Sequence, residues 1–147
     1  MAHQGRPTIN PAFMVLHVRK IFWTTDGWPV VSPERYALED NATVPVENIA
    51  GQWERIKLDY FVVPGFGNEQ LYPDLQHATS LTLDAGGSIN SNGGSWTYMA
   101  PWLQLNWNTG SVEKLFVQKG RDWESKKNSF VFSGLNETGV AIWGKKK

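Results

Sequence analysis

From Thr79 to the last residue the chain repeats one kind of unit: a short run rich in β-branched, aromatic or alternating residues, then a cluster of glycine, asparagine, serine or lysine. The runs are "TSLTLDA", "SWTYMA", "WLQLNW", "VEKLFVQKG", "SFVFSGL" and "GVAIWGK", and the clusters include "GGSINSNGG", "NTGS" and "SKKN". Such clusters are turn chemistry, because these residues reach the backbone conformations a tight reversal needs. No heptad repeat and no long amphipathic helix competes with this pattern. "GQWERIKLDY" adds a strand that sets Ile56, Leu58 and Tyr60 on one face against Arg55, Lys57 and Asp59 on the other, and "SIN" offers a short further one. Consecutive antiparallel strands must protect their edges, and closing the sheet on itself is the simplest way. The expected fold is therefore all-β, a closed or nearly closed antiparallel barrel of about eight strands, with a sandwich as the alternative. A barrel of about eight strands either fills with its own side chains or holds one small ligand.

The chain's ending, "SGLNETGVAIWGKKK", reads as a hairpin. Asn136 to Gly139 form its turn, and Val140 to Trp143 form a last strand that pairs with the first barrel strand around Gly51 and Trp53. Gly51, Trp53 and Trp143 are thus the candidate barrel-closing residues. Lys145, Lys146 and Lys147 read as a solvated terminus. Ahead of the barrel, Phe13 to Trp23 reads as one strand, Asp26-Gly27 as a reversal and "VVS" as the return strand. Leu38 to Asn48 is polar and aperiodic and reads as a connection. Val63 to Ala78 reads as a long loop with a helical turn around Leu75.

At 147 residues the chain suits one domain and can bury roughly two thirds of its unfolded surface. Fourteen basic and fourteen acidic residues cancel, so no field of one sign gathers phosphates or anionic lipids, and neither nucleic acid nor membrane is an expected partner. Cysteine is absent, which removes thiol chemistry and thiolate metal sites. No apolar run approaches the roughly 18 residues that span a bilayer, and "MAHQGRPTIN" has no apolar signal-peptide core.

Catalytic chemistry finds little footing. His3, His17 and His77 lie in a terminus, a strand and a loop, with no serine elbow and no metal-ligand spacing. Glycoside hydrolysis needs two carboxylates flanking the scissile bond, but nothing pairs any two of Glu34, Glu39, Asp40, Glu54, Asp59, Asp84, Glu113 and Asp122. No catalytic residue and no metal ligand is assigned. The eight tryptophans are the compositional outlier; each serves as core filler or as a flat face for sugar stacking.

"LHVRKIFWTTDGWPVVSPERYA", Leu16 to Ala37, carries Arg19, Trp23, Asp26, Gly27, Trp28 and Pro29 in an arrangement that resembles the end of the catalytic propeller in arabinan-degrading enzymes of glycoside hydrolase family 43. The remainder, from "IAGQWERIKL" to the end, resembles the C-terminal β-barrel that follows that propeller. Gly51-x-Trp53 also resembles the G-x-W signature of lipocalin-like barrels, in which the tryptophan closes one end. The resemblance implies an N-terminal segment and hairpin over residues 1–37 and a barrel over residues 49–147. It further implies that the three catalytic acids sit in blades ahead of this segment, so none is carried over.

The function expected is that of a non-catalytic accessory domain or fragment. Its partners are then the catalytic propeller of the same enzyme and arabinan or arabino-oligosaccharide, with no cofactor in this chain and a metal ion in the propeller left open. Trp102, Gln104, Trp123 and Trp28 are the candidate sugar contacts, Trp102 sharing its strand face with Gln104 and Asn106; sealing of a domain interface is the alternative role for each ring. A free-standing lipocalin-like barrel holding a small ligand, or a purely structural domain, are the alternative functions. An extracellular location in a bacterium is expected, with no signal peptide in this chain.

Overall fold

The computed structural model describes residues 2–5, 15–34, 40, 42–59 and 77–147, with residues 2–5 and 15–17 as backbone only. Strands β1 (Ala2–Gly5) and β2 (Val15–Val18) form one two-stranded sheet, and β3 (Ile21–Trp23) and β4 (Pro29–Val31) form another. The expected single strand from Phe13 to Trp23 is therefore broken at Arg19 and Lys20. Arg19, at this break, turns its guanidinium back to the carbonyls of Ser32, Pro33 and Glu34. The β3–β4 reversal closes with the Gly27 N–H donating to the Thr24 carbonyl at 2.9 Å, and Gly27 has φ +85°, which glycine tolerates.

The barrel follows: β5 (Gly51–Leu58), β6 (Thr79–Leu83), β7 (Ser88–Ile89), β8 (Gly94–Met99), β9 (Trp102–Trp107), β10 (Val112–Asp122), β11 (Lys127–Asn136) and β12 (Ala141–Lys146). Each strand pairs with its chain neighbour, and β12 pairs antiparallel with β5 to close eight strands into an up-and-down barrel. The closing register sets Trp143 opposite Ile56 and Lys146 opposite Trp53. "SIN" supplies β7, and the final hairpin turns at Gly139, φ +83°. The long loop and its helical turn at Leu75 lie outside the described residues, except for His77 and Ala78.

The barrel is filled. Trp53, Leu81, Leu83, Ile89, Leu103, Leu105, Leu115, Phe132 and Ile142 are each at most 1% exposed, and Trp53 meets Phe132 ring to ring at 5.2 Å. A ligand in the interior would have to displace them.

Two features go beyond what the sequence pattern specifies. On β5 the inward face carries Trp53 and Arg55, whose guanidinium pairs with the buried Glu113 and lies 5.3 Å from the Trp107 ring; Ile56 faces outward. Period two defines two faces without saying which is inside, and a buried partner for Arg55 reverses the simple hydrophobic choice. The Leu38 to Asn48 connection also reaches the core. Val44 and Ile49 are buried, and a 3-10 turn at Val46–Asn48 lies between them.

Candidate functional site

Two regions gather more than packing demands. The first is the end of the barrel closed by Trp53. Its indole N–H donates to the Ile49 carbonyl at 2.8 Å, the Tyr98 hydroxyl donates to the Val44 carbonyl at 2.9 Å, and Lys146 Nζ donates to the carbonyls of Asn48 and Ala50. The Lys146 ammonium lies 6.0 Å from the Trp53 ring, and burial lowers its pKa. Gly51, at φ +128°, leaves room for that side chain, since a Cβ there would sit 3.1 Å from Lys146 Cε. This end is sealed by its own hydrogen bonds.

The second region is the seam between the β3–β4 hairpin and the outer face of the barrel. Strand alternation puts Phe22 on the barrel side, where it stacks on Phe116 at 4.6 Å and 4°. Trp102 meets the same Phe116 edge-on at 5.1 Å. Further along, the Trp143 indole N–H donates to the Val31 carbonyl at 3.0 Å while Arg19 lies 5.2 Å over its ring. The buried Glu34 carboxylate accepts from the Trp123 indole N–H at 2.6 Å and from the Arg121 backbone N–H at 3.0 Å. Ile142 and Gly144 face the interior, so Trp143 stands outside the barrel wall and joins wall to hairpin.

Beside this seam a cleft of about 210 Å³ opens on the outer face of β5, β11 and β12. Val131, Trp143, Lys145, Glu54 and Ile56 lie on its floor strands, and Pro33, Glu34 and the β10–β11 turn with Trp123 and Glu124 wall one side. Lys145 is at its centre, 2.9 Å from Asp122 and 3.4 Å from Glu54, and it also bonds Glu124. Burial alone would raise the Asp122 carboxyl, but hydrogen bonds from Ser125 and Lys145 outweigh it and hold the group well below the usual carboxylate range. A hydrogen bond from Lys147, opposed by burial and helped by Lys145, lowers Glu54. Burial works against the Lys145 ammonium, yet its bonds to Glu124 and Asp122 hold its pKa above the ordinary lysine range.

This arrangement corrects the reading of Lys145 to Lys147 as a solvated tail. Lys145 and Lys146 belong to β12, one neutralising the cleft and the other sealing the barrel end. The cleft carboxylates Asp122 and Glu54 are also unsuited to serve as a general acid, which needs a raised pKa where theirs are lowered.

The structure disperses the four candidate sugar contacts. Trp102 is in the Phe116 ring group, and Gln104 on the same face donates to Asn106 at 2.8 Å. Trp28 stands at the hairpin turn, 65% exposed. Trp123 alone of the four lines the cleft. Arg19, Glu34, Arg121 and Lys145 come together only in the fold, since no spacing in the sequence links them. Among the described residues, no three histidine or acidic side chains are placed to hold a metal, and no helix is long and apolar enough to cross a membrane.

A filled, closed meander of eight antiparallel strands, sealed at one end by an inward tryptophan, is a lipocalin-like barrel in class. The model of the GH43_C family, described as a C-terminal lipocalin-like domain, matches residues 33–144, and the chain belongs to that family. An extracellular endo-α-(1→5)-L-arabinanase 2 of Bacillus subtilis is 28% identical over 137 residues, covering 89% of this chain and 26% of the relative. An extracellular endo-α-(1→5)-L-arabinanase of Thermotoga petrophila is 27% identical over 133 residues, covering 88% and 26%. The crystal structure of endo-1,5-α-L-arabinanase from Thermotoga petrophila matches 92% of this chain, and 29% of its own, with TM-score 0.73 and 27% identity. A family 43 glycoside hydrolase from Bacillus licheniformis matches 89% of this chain and 28% of its own with TM-score 0.70; at 24% identity that likeness concerns the fold. The chain spans about a quarter of the length of the curated relatives it matches.

Proposed function

We propose that this chain is the non-catalytic accessory domain of an arabinan-degrading family 43 glycoside hydrolase, and that it supports a catalytic propeller through its N-terminal hairpin. The observation that carries this reading is the two-sidedness of that hairpin. Phe22 and Val30 face the barrel, whereas Ile21 and Trp23, 38% and 66% exposed, face away from it with Val18 and Trp28 also exposed. Ladder alternation also points the N–H and C=O groups of Ile21 and Trp23 away from β4, and no strand among the described residues pairs with that edge. An open edge beside exposed aromatic rings is the surface on which a further strand is added, and propeller blades have four strands.

The partner is then the propeller of the same enzyme, and the chain divides into an arm over residues 1–37 and a barrel over residues 49–147, with Val44 packing as part of the barrel. The packed interior disfavours the small-ligand alternative. The relatives' names support an extracellular location. Co-expression with the propeller portion encoded ahead of this chain tests the reading. We expect one-to-one association and arabinan hydrolysis that the chain alone lacks, weakened by Ile21→Ser with Trp23→Ser. Hydrolysis by the chain alone, or an upstream frame that encodes no propeller, overturns it.

A further inference from the structure

We propose that the cleft between the hairpin arm and the β5–β12–β11 face is a subsite for a neutral oligosaccharide, with Trp123 and Trp143 as its aromatic walls and Glu54, Asp122 and Glu124 as hydroxyl acceptors. The charges in the cleft narrow the choice of ligand. Glu34, Glu54, Asp122 and Glu124 are met by Arg121 and Lys145 in the lining and by Lys147 on Glu54, so the cleft has no excess of positive charge to hold an anion. Lys145 already occupies the point where Glu54, Asp122 and Glu124 converge, so a second cation would have to displace a bonded ammonium.

What remains is an uncharged ligand that donates hydrogen bonds and has an apolar face. A sugar ring has both. Each ionised carboxylate oxygen has two acceptor sites, and hydroxyl donors to carboxylates make short, strong bonds. Val131 and Ile56 add apolar area between the indoles. At about 210 Å³ the cleft is small for a ligand pocket, so it takes one sugar unit, with the remainder of a longer ligand lying along the open side. The seam position also fits, since ligand sites favour places where two structural units meet.

The sugar chosen for the test, a linear α-1,5-linked arabinohexaose, rests on the accessory-domain reading above. Calorimetry on the isolated chain is expected to show binding. Glu124→Gln, at a side chain 79% exposed and free of packing duties, should weaken it about tenfold, the worth of one charge-assisted hydrogen bond. Trp123→Ala should weaken it further, while Trp28→Ala and Trp102→Ala leave it unchanged; a thermal melt on each variant confirms folding. No binding by the folded wild type overturns the subsite, as does binding that responds to Trp28 or Trp102 and not to Glu124 and Trp123. A chain that associates with the propeller yet takes up no arabinohexaose overturns the subsite alone. One that takes up the sugar without joining the propeller supports the subsite and overturns the accessory reading.

Discussion

Gly144 and Phe132 share one volume inside the barrel wall. A Cβ at position 144 would lie 2.2 Å from Phe132 Cζ and 2.7 Å from the Glu54 carbonyl, so the aromatic ring can fill the core only because β12 has no side chain there. Gly144→Ala is expected to cost about 1–3 kcal/mol, the usual range for overpacking, read from the urea midpoint. Phe132→Leu in the same chain should recover part of that loss; two fully additive penalties would show that the clash is relieved elsewhere. The Gly51-x-Trp53 signature was legible in sequence, whereas its completion by Lys146 was not. Gly51 and Trp53 are neighbours in the chain, and the lysine that crosses them arrives from the opposite terminus.

At the scale of elements, the hairpin is held by rings and by two indole N–H bonds rather than by a shared ladder. Phe22→Ala removes the stack on Phe116, a contact worth roughly 1 kcal/mol beyond its buried area. It is expected to speed amide exchange across Phe22 and Val30 while leaving the barrel strands protected, as hydrogen-exchange mass spectrometry would show. Equal loosening of β10 and β11 would mean that the arm and barrel unfold as one unit. The barrel strands were legible from turn residues and β-branched runs, to within a residue or two. The inward face of β5 was not, because alternation marks both faces alike and the deciding contact, Arg55 with Glu113, spans 58 positions.

For the whole molecule, a formal charge of zero conceals a local network that ties the acid response to the cleft. Asp122 and Glu54 have folded pKa values below their ordinary 3.8 and 4.5, so the folded state binds fewer protons than the unfolded chain as the pH drops. Their stabilisation is full above those ordinary values and fades as pH falls through them toward the lower folded values. Lys145, raised above its ordinary 10.5, contributes fully below that value and loses its contribution only as pH climbs through the higher folded one. Stability measured by urea unfolding should therefore be level near neutrality and decline below about pH 4.5. Lys145→Met should lower the neutral plateau by about 1 kcal/mol and flatten the acid decline. An unchanged acid limb would place the titrating groups elsewhere.

The sequence alone determined that this chain is a meander of short antiparallel strands ending in a hairpin that returns to the first barrel strand. Those features are local: a turn residue acts within a few positions, and a period of two is visible over six. Only the tertiary structure decided which tryptophans meet. Glu34 reaches Trp123 across 89 positions and Val31 reaches Trp143 across 112, and through these contacts the arm lies beside a cleft. Their geometry exists only once the hairpin arm lies against the closed barrel, since neither residue type nor spacing encodes which face of a strand a distant segment will cover.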